Sequence, residues 1–507
     1  MKKASNLKVA FSTVLAKQQS KAQNLDHFPD GNLQRGLKGR HVQLIALGGI
    51  IGSAYFLGTG AIVQSFGPSA CLAYVFGGII IYLTMLCMGE LAVAMPSSGS
   101  FVNYASDFIS PSFACGVGWS YWINWVAYVP AECLAAGIIM HMFTGTSAYL
   151  WALSFGLLLT FVNISHVKVF GEVEFWLAIV KIAALVGFTV LSILIVFGFI
   201  HGTQPTGGVG FKYLTGQGGL FPNGGLAFLT GMVLLLVNYQ GSEIIGLAAG
   251  ESQQPHKTIP RAIRTVTWRI VMIYIIPVFL LVLIFPWQKA GLADSVFADA
   301  LSMYGLKWAG TVISFVTLTA ALSCSNSGIY GSVRSLLALA RDGMAPKALS
   351  KLNRRFAPRN AVLMTLIGIW LILGASYFFS NTTLYIALLL VSGFTGNICW
   401  IAICWAQIRF RRHVLKSGYT VQDLKYKTPG APYTGILCIT MIMLCLALLF
   451  FSDNITYKIA FVIGCVTFFI PMLIYKILLR YHPKILNSTR QRPRLEDIFG
   501  LPRQDPS

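Results

Sequence analysis

The sequence predicts an all-α polytopic membrane protein of about twelve transmembrane helices, folded as an inverted repeat of five plus five, with helices 1 and 6 discontinuous. Three observations carry that reading. Of 507 residues 55% are hydrophobic and 11% charged, with a mean hydropathy of +0.68, where soluble domains carry about 25% charged residues. Apolar stretches of bilayer-spanning length, about twenty residues, recur along the whole chain. Two of these stretches, five segments apart, are interrupted by glycine and polar residues.

The apolar stretches fall at about 41–66, 69–95, 113–142, 147–167, 171–200, 224–249, 264–286, 306–340, 359–379, 381–408, 433–452 and 456–480. The ninth and tenth are divided only by the Ser380–Asn381 turn. The net charge of +21 sits in the connections and follows the positive-inside rule, so no nucleic-acid partner is implied. One side carries the N-terminal Lys and Arg residues, Lys168, Lys257, Arg261, Arg341, Lys347, Arg359, Arg409, Arg411, Lys425 and the basic C-terminal tail; the other shows little beyond Lys212, Lys289 and Lys458. The even-numbered loops and both termini are therefore expected in the cytoplasm, and an error of one helix in the count would scramble that agreement. The opening residues are basic but lack a long apolar core and a cleavage site, so they read as a tail and not as a signal peptide. The organisation expected is a cytoplasmic tail (1–40), a transport core of helices 1–10 (41–408), a cytoplasmic loop (409–432), helices 11 and 12 (433–481) and a second cytoplasmic tail (482–507). The ten cysteines lie almost wholly in apolar segments without C-x-x-C spacing, and the eight histidines are scattered. Neither a disulfide framework nor a metal site is expected, and no cofactor.

The first interruption is Gly48-Gly49-Ile50-Ile51-Gly52-Ser53-Ala54-Tyr55-Phe56-Leu57-Gly58. Each glycine weakens a helix by roughly 1 kcal/mol relative to alanine. Gly48 and Gly52 also spell G-x-x-x-G, a helix-packing motif. Non-helical backbone at membrane depth is tolerated only where it is buried in protein or lines a cavity. The N–H groups that start a second half-helix suit a carboxylate, and the C=O groups that end the first suit an ammonium. An α-amino acid carries both charges, so this stretch is expected to bind one. The second interruption is Val237-Asn238-Tyr239-Gln240-Gly241-Ser242-Glu243. Because five is odd, the two broken helices run in opposite directions, which points to an inverted repeat with the site at the repeat interface.

Ionisable groups inside a membrane cost at least about 2.5 kcal/mol each at the bilayer centre and need a partner or a role. Glu132 follows Pro130 in segment 3, Glu243 lies in the segment 6 break, and Lys181 lies in segment 5. Glu243 could carry a proton if burial raises its pKa, and a buried lysine loses its proton readily. Glu90, Glu251 and Arg334 lie nearer the cytoplasmic ends and read as ion-pair or snorkelling residues. Ser323-Cys324-Ser325-Asn326-Ser327 in segment 8, and Tyr121, Trp122, Asn124, Trp125 and Tyr128 in segment 3, line a cavity or pack the bundle.

Leu37-Lys38-Gly39-Arg40-His41-Val42 followed by IALGGIIGSAYFLGTG resembles the entry to the first helix of the amino-acid–polyamine–organocation (APC) superfamily, and more narrowly its amino-acid transporter branch of bacterial permeases. MGELAVAMPSSGSFVNYA (88–105), GWSYWINWV (118–126), GEVEFWLAIVKIAALVGF (171–188), GSEIIGLAAGESQQPHKTIPRAI (241–263) and LSCSNSGIYGSVRSLLALARDGMAPKAL (322–349) extend the resemblance over about 35–480. It implies the LeuT-like five-plus-five fold. By resemblance, the amides near Gly52, Ser53 and Ala54 hold the substrate carboxylate, and the carbonyls of Ile50 and those around Val237, Tyr239, Gln240, Gly241 and Ser242 hold the amine. Glu243 matches a glutamate tied to gating or proton coupling, Lys181 a lysine at the sodium-site position of proton-coupled members, and Glu132 joins them as a coupling candidate. Ala54 stands where the family's motif has a third glycine, which narrows the site by about one carbon; Tyr239-Gln240 replaces smaller or apolar residues. Segment 3 is similar to that of γ-aminobutyrate permeases and of carriers of basic and neutral amino acids.

The expectation is a secondary amino acid transporter of the plasma or inner membrane, importing with protons by alternating access, its partners an amino acid, protons and the bilayer, as a monomer or dimer. Segments 1, 2, 6 and 7 would rock against 3, 4, 8 and 9. An obligate exchanger shares every feature. A transporter-derived sensor would want a long signalling extension, an enzyme a His/Asp/Glu cluster on one face, and a channel a selectivity filter.

Overall fold

The computed structural model describes residues 51–164, 170–201, 210–216, 218–251, 254–291, 295–352 and 358–481. Every expected segment appears as a helix: α1 (Ser53–Phe56, then Gly58–Phe66), α2 (Ala70–Ala94), α3 (Pro111–Thr144), α4 (Ala148–Ile164), α5 (Phe170–Val196), α6 (Gly224–Leu236, then Ile244–Ala248), α7 (Pro255–Ile284), α8 (Lys307–Arg341), α9 (Arg359–Ala375), α10 (Asn381–Lys416), α11 (Tyr433–Leu448) and α12 (Ile455–Tyr481). The first part of segment 1, with Ile50, lies outside the described residues, as do Lys168 and both tails.

Two helices differ in extent from the sequence expectation. α7 begins at Pro255, well before 264, because Pro255 supplies a ready first-turn residue and Ile259, Ala262, Ile263 and Val266 form a buried apolar stripe at helical spacing. α10 continues past 408 to Lys416, since Phe410 and Val414 remain buried on one face beyond the hydrophobic span. A further helix, Val296–Met303, forms in the α7–α8 connection, where the sequence reads as a loop.

α3 is the central post. Ser110 caps its first turn by accepting the Phe113 amide at 3.2 Å, Pro111 takes the first position, and Gly145 closes it at φ 69°. In its apolar window 78% of residues are buried, and in that of α10 83%, against 17% in α12 and 28% in α5. α3 and α10 thus form the interior and α12 and α5 the lipid-facing flank. In lipid, helices gain from close contact and not from water exclusion. The α3–α8 seam shows this: a Cβ on Gly328 would run into the Trp125 ring, and one on Gly118 would lie 2.6 Å from Leu339.

The four helices expected to move together are tied to one another. Tyr55 (α1), Tyr74 (α2), Tyr239 (α6) and Tyr274 (α7) stack as one cluster with ring centroids 4.7–6.4 Å apart. Three of the four hydroxyls, those of Tyr55, Tyr74 and Tyr239, are engaged within the same helices. Tyr55 donates to the Ile273 carbonyl at 2.7 Å, Tyr239 donates to the Tyr74 carbonyl at 2.7 Å, and Asn238 donates to the Tyr74 hydroxyl at 2.6 Å.

Candidate substrate site at two helix breaks

At the first break Ile51 and Gly52 are non-helical, and Gly52 is extended (φ −108°, ψ −169°). Helix resumes at Ser53, and the Leu57 amide bonds back to the Ser53 carbonyl at 2.7 Å, joining the short first turn to Gly58–Phe66. The Ser53 amide points at the Glu132 carboxylate and donates to Oε2 at 2.9 Å and Oε1 at 3.1 Å. The Tyr128 hydroxyl, one turn back on α3, lies beside the same carboxylate against Gly52. Gly52 has no space for a side chain: a Cβ there would overlap Glu132 Oε1 and lie 2.7 Å from the Tyr128 hydroxyl. One residue earlier, Lys181 Nζ donates to the Ile51 carbonyl at 3.1 Å and to Ser323 Oγ at 2.7 Å. Helices α3 and α5 therefore hold consecutive backbone groups of the break with one carboxylate and one ammonium. Both side chains are buried, Glu132 at 1% and Lys181 at 0% exposure. Ala54 is buried in the same turn, and Ser53 Oγ lies 3.4 Å from the Tyr385 hydroxyl of α10.

At the second break α6 tightens into a 3-10 turn over Val237–Tyr239, Gln240 is extended, and Gly241 takes φ 89°, a conformation that suits glycine. The Glu243 carboxylate folds back onto the Gly241 amide, its oxygens 3.0 and 3.1 Å away, and accepts the Tyr121 hydroxyl and Trp400 Nε1 at 3.1 Å each. Glu243 thereby links α6 to α3 and α10. The Val237 carbonyl accepts the Gln240 amide at 3.0 Å and keeps its second lone pair. The Tyr239 and Gln240 side chains are committed elsewhere: Tyr239 to α2, and Gln240 Nε2 to the Ser392 carbonyl of α10 at 3.0 Å. Ser242 donates to the Tyr239 carbonyl at 2.9 Å.

Sequence reasoning missed Arg269. Its guanidinium is buried and donates to Ser242 Oγ at 2.7 Å. Segment 7 read from residue 264 puts Arg269 within reach of the interface, but α7 begins at Pro255, which sets Arg269 about four turns into the helix. A π-helical stretch, Ile270–Ile275, follows it immediately, a feature often found at functional sites. The available signal was the amphipathic run from Ile259 to Val266, which extends the helix upstream. Among the nearer-interface residues, Glu90 has the ion-pair role its position suggests: Arg411 reaches it at 2.6 and 2.8 Å, with Gln407 at 2.9 Å and the Thr428 amide at 2.6 Å. Arg334 lies over the Tyr330 ring at 5.1 Å. The side chain of Glu251 lies outside the described residues.

Two helices broken at buried, oppositely directed midpoints, with buried charged side chains holding the breaks, define a secondary transporter of LeuT-like fold. The likeness to a solved structure agrees: a manganese transporter mutant from Eremococcus coleocola superposes with TM-score 0.54 over 86% of this chain and 93% of that one, at 13% identity, a match that speaks to the fold alone. The profile of the amino acid permease family matches residues 41–493, and the chain belongs to that family. It is 39% identical to the amino-acid permease RocE of Bacillus subtilis (89% of this chain, 96% of that one). It is 36% identical to the lysine-specific permease LysP of Escherichia coli (80% and 85%) and 34% to the γ-aminobutyric acid permease of B. subtilis (82% and 88%). The chain is a multi-pass membrane transporter of amino acids.

Proposed function

We propose that this permease carries its amino acid inward across the plasma or inner membrane together with protons, both termini in the cytoplasm, by alternating access. The observation that carries the coupling is Lys181. Its ammonium is seated on the Ile51 carbonyl and the Ser323 hydroxyl, oxygen ligands of the kind a sodium ion would use, so a fixed protein cation occupies that position. A cation built into the chain removes the need for sodium and ties coupling to the charge balance of the site. The amides from Gly52 to Ala54 receive the substrate carboxylate, and the backbone of the α6 break, from Val237 to Ser242, receives the amine. Glu243 holds that break and gates it. Basic amino acids, neutral ones and γ-aminobutyrate are the candidates, the first and last in keeping with the lysine-specific and γ-aminobutyric acid permeases among the relatives.

The test is uptake of a labelled panel of amino acids and γ-aminobutyrate into proteoliposomes holding the full chain, under an inward proton gradient or an inward sodium gradient. Accumulation of one or a few compounds driven by protons and indifferent to sodium is the expected result. Uptake only into vesicles preloaded with amino acid would make the chain an exchanger and return Lys181 and Glu243 to structural roles.

A further inference from the structure

The amide that should receive the substrate's carboxylate already holds one. Glu132 lies against the Ser53 N–H through both oxygens, fills the space beside Gly52, and is buried at 1% exposure. Two carboxylates about 3 Å apart cannot both stay ionised. Resting on the transport reading above, we propose that Glu132 is a positioning residue that releases the Ser53 amide only when it takes up a proton, so that protonation precedes and admits the substrate carboxylate.

Charge conservation around Lys181 supports the exchange. Before binding, the Lys181 ammonium is balanced by ionised Glu132. After it, the substrate carboxylate supplies the same single negative charge and Glu132 is neutral. A substrate carboxylate entering beside ionised Glu132 would leave two negative charges against one positive in a buried site. The proton comes from water on the side from which substrate enters, forms an O–H bond on Glu132, and leaves to the other side after the substrate departs.

The groups facing Glu132 do not offer a competing acid of similar strength. They are Tyr128 and Cys133 on α3 itself, Lys181 on α5, Cys324 on α8 and Tyr385 on α10; the tyrosines and cysteines are intrinsically weak acids. When Glu132 gains a proton, the Tyr128 hydroxyl remains beside it as the carboxyl leaves Ser53. The residue thus acts through the backbone of the break.

The experiment uses the full chain in lipid nanodiscs and the twenty common L-amino acids plus γ-aminobutyrate, with binding read from the shift in unfolding temperature between about pH 5.5 and 7.5. For wild type, the half-saturating concentration of the amino acid that binds rises by up to about tenfold per pH unit, the linkage expected for one obligatory proton. In Glu132→Gln, which keeps the shape but cannot exchange a proton, that dependence flattens to less than about twofold per unit. A second measurement needs no variant: in weakly buffered solution near the upper pH, binding to wild type takes up close to one proton per amino acid bound. Equal binding across the pH range, a pH dependence unchanged in Glu132→Gln, or binding without proton uptake overturns the exchange and leaves the transport reading standing. Failure of every compound to bind at any pH overturns the transport reading, and the exchange with it.

Discussion

Gly52 shows how one missing atom sets the geometry of the first break. Its extended backbone is open to many residues, yet the volume beside its α-carbon is filled by Glu132 and the Tyr128 hydroxyl. Gly52→Ala therefore forces the carboxylate off the Ser53 amide. Overpacking of this kind costs about 1–3 kcal/mol, so the unfolding temperature should fall and uptake should be lost. Adding Glu132→Ala to it should recover the stability without restoring uptake; a Gly52→Ala chain that transports normally would show that the contact is loose. Glu243 makes a different argument. Its carboxylate accepts Tyr121, Trp400 and the Gly241 amide, and Glu243→Gln keeps the size and one acceptor oxygen while removing the charge. The expected outcome is loss of proton-driven accumulation in proteoliposomes with some exchange of labelled for unlabelled substrate retained. Full accumulation by that variant would sink the gating role. Glu132, Lys181 and Glu243 could be picked from the sequence because charge is rare inside apolar segments. Their partners Ser53, Ser323, Tyr121 and Trp400 could not, since they lie 79 to 157 residues away in the chain and no local pattern encodes such pairing.

At the scale of elements, the breaks in α1 and α6 were legible because glycine and polar residues interrupt long apolar runs, and the helix count because spanning length is nearly fixed. The ends of α7 and α10 were not, since helices here extend past the hydrophobic span wherever a buried stripe continues, and hydropathy does not register it. That extension of α10 places Arg411 beside Glu90. The pair joins α2 to α10, and the Thr428 amide and carbonyl tie the following loop to the same two side chains, the carbonyl accepting Arg411 at 2.8 Å. Removing one member of a buried pair leaves an uncompensated charge and costs about 3–5 kcal/mol, whereas removing both costs far less. Arg411→Met should lower the unfolding temperature in detergent and expose the 417–432 loop to protease. Glu90→Gln combined with it should recover most of the loss. If the single and the double variant unfold alike, the carboxylate is not buried as described.

For the whole molecule, the tyrosine cluster makes α1, α2, α6 and α7 one body, while the charged contacts at the breaks join that body to α3, α5, α8 and α10. Apart from the Arg269–Ser242 hydrogen bond, contacts within the body are aromatic and hydrogen-bonded among uncharged groups; those between the body and the other helices involve Glu132, Lys181 and Glu243. Rocking of one part against the other is thus placed where titratable groups sit. On the face opposite the basic loops the body is closed by the helix Val296–Met303. Phe297 packs on Tyr55, Phe56 and Phe188 at centroid distances of 5.3, 6.0 and 4.9 Å, and Ser295 donates to the Phe56 carbonyl at 3.1 Å. Alternating access requires these contacts to break once per cycle. Each aromatic pair is worth about 0.5–1.5 kcal/mol, so Phe297→Ala should move the balance toward the state open on that face by about tenfold or more. The measurement is hydrogen–deuterium exchange over Ser53–Phe66 in nanodiscs, which should quicken in Phe297→Ala and return toward wild-type rates in Phe297→Leu, which restores apolar bulk. Unchanged exchange in the alanine variant would mean that this helix is a static cover and that closure of this face rests on α1 and α6 alone.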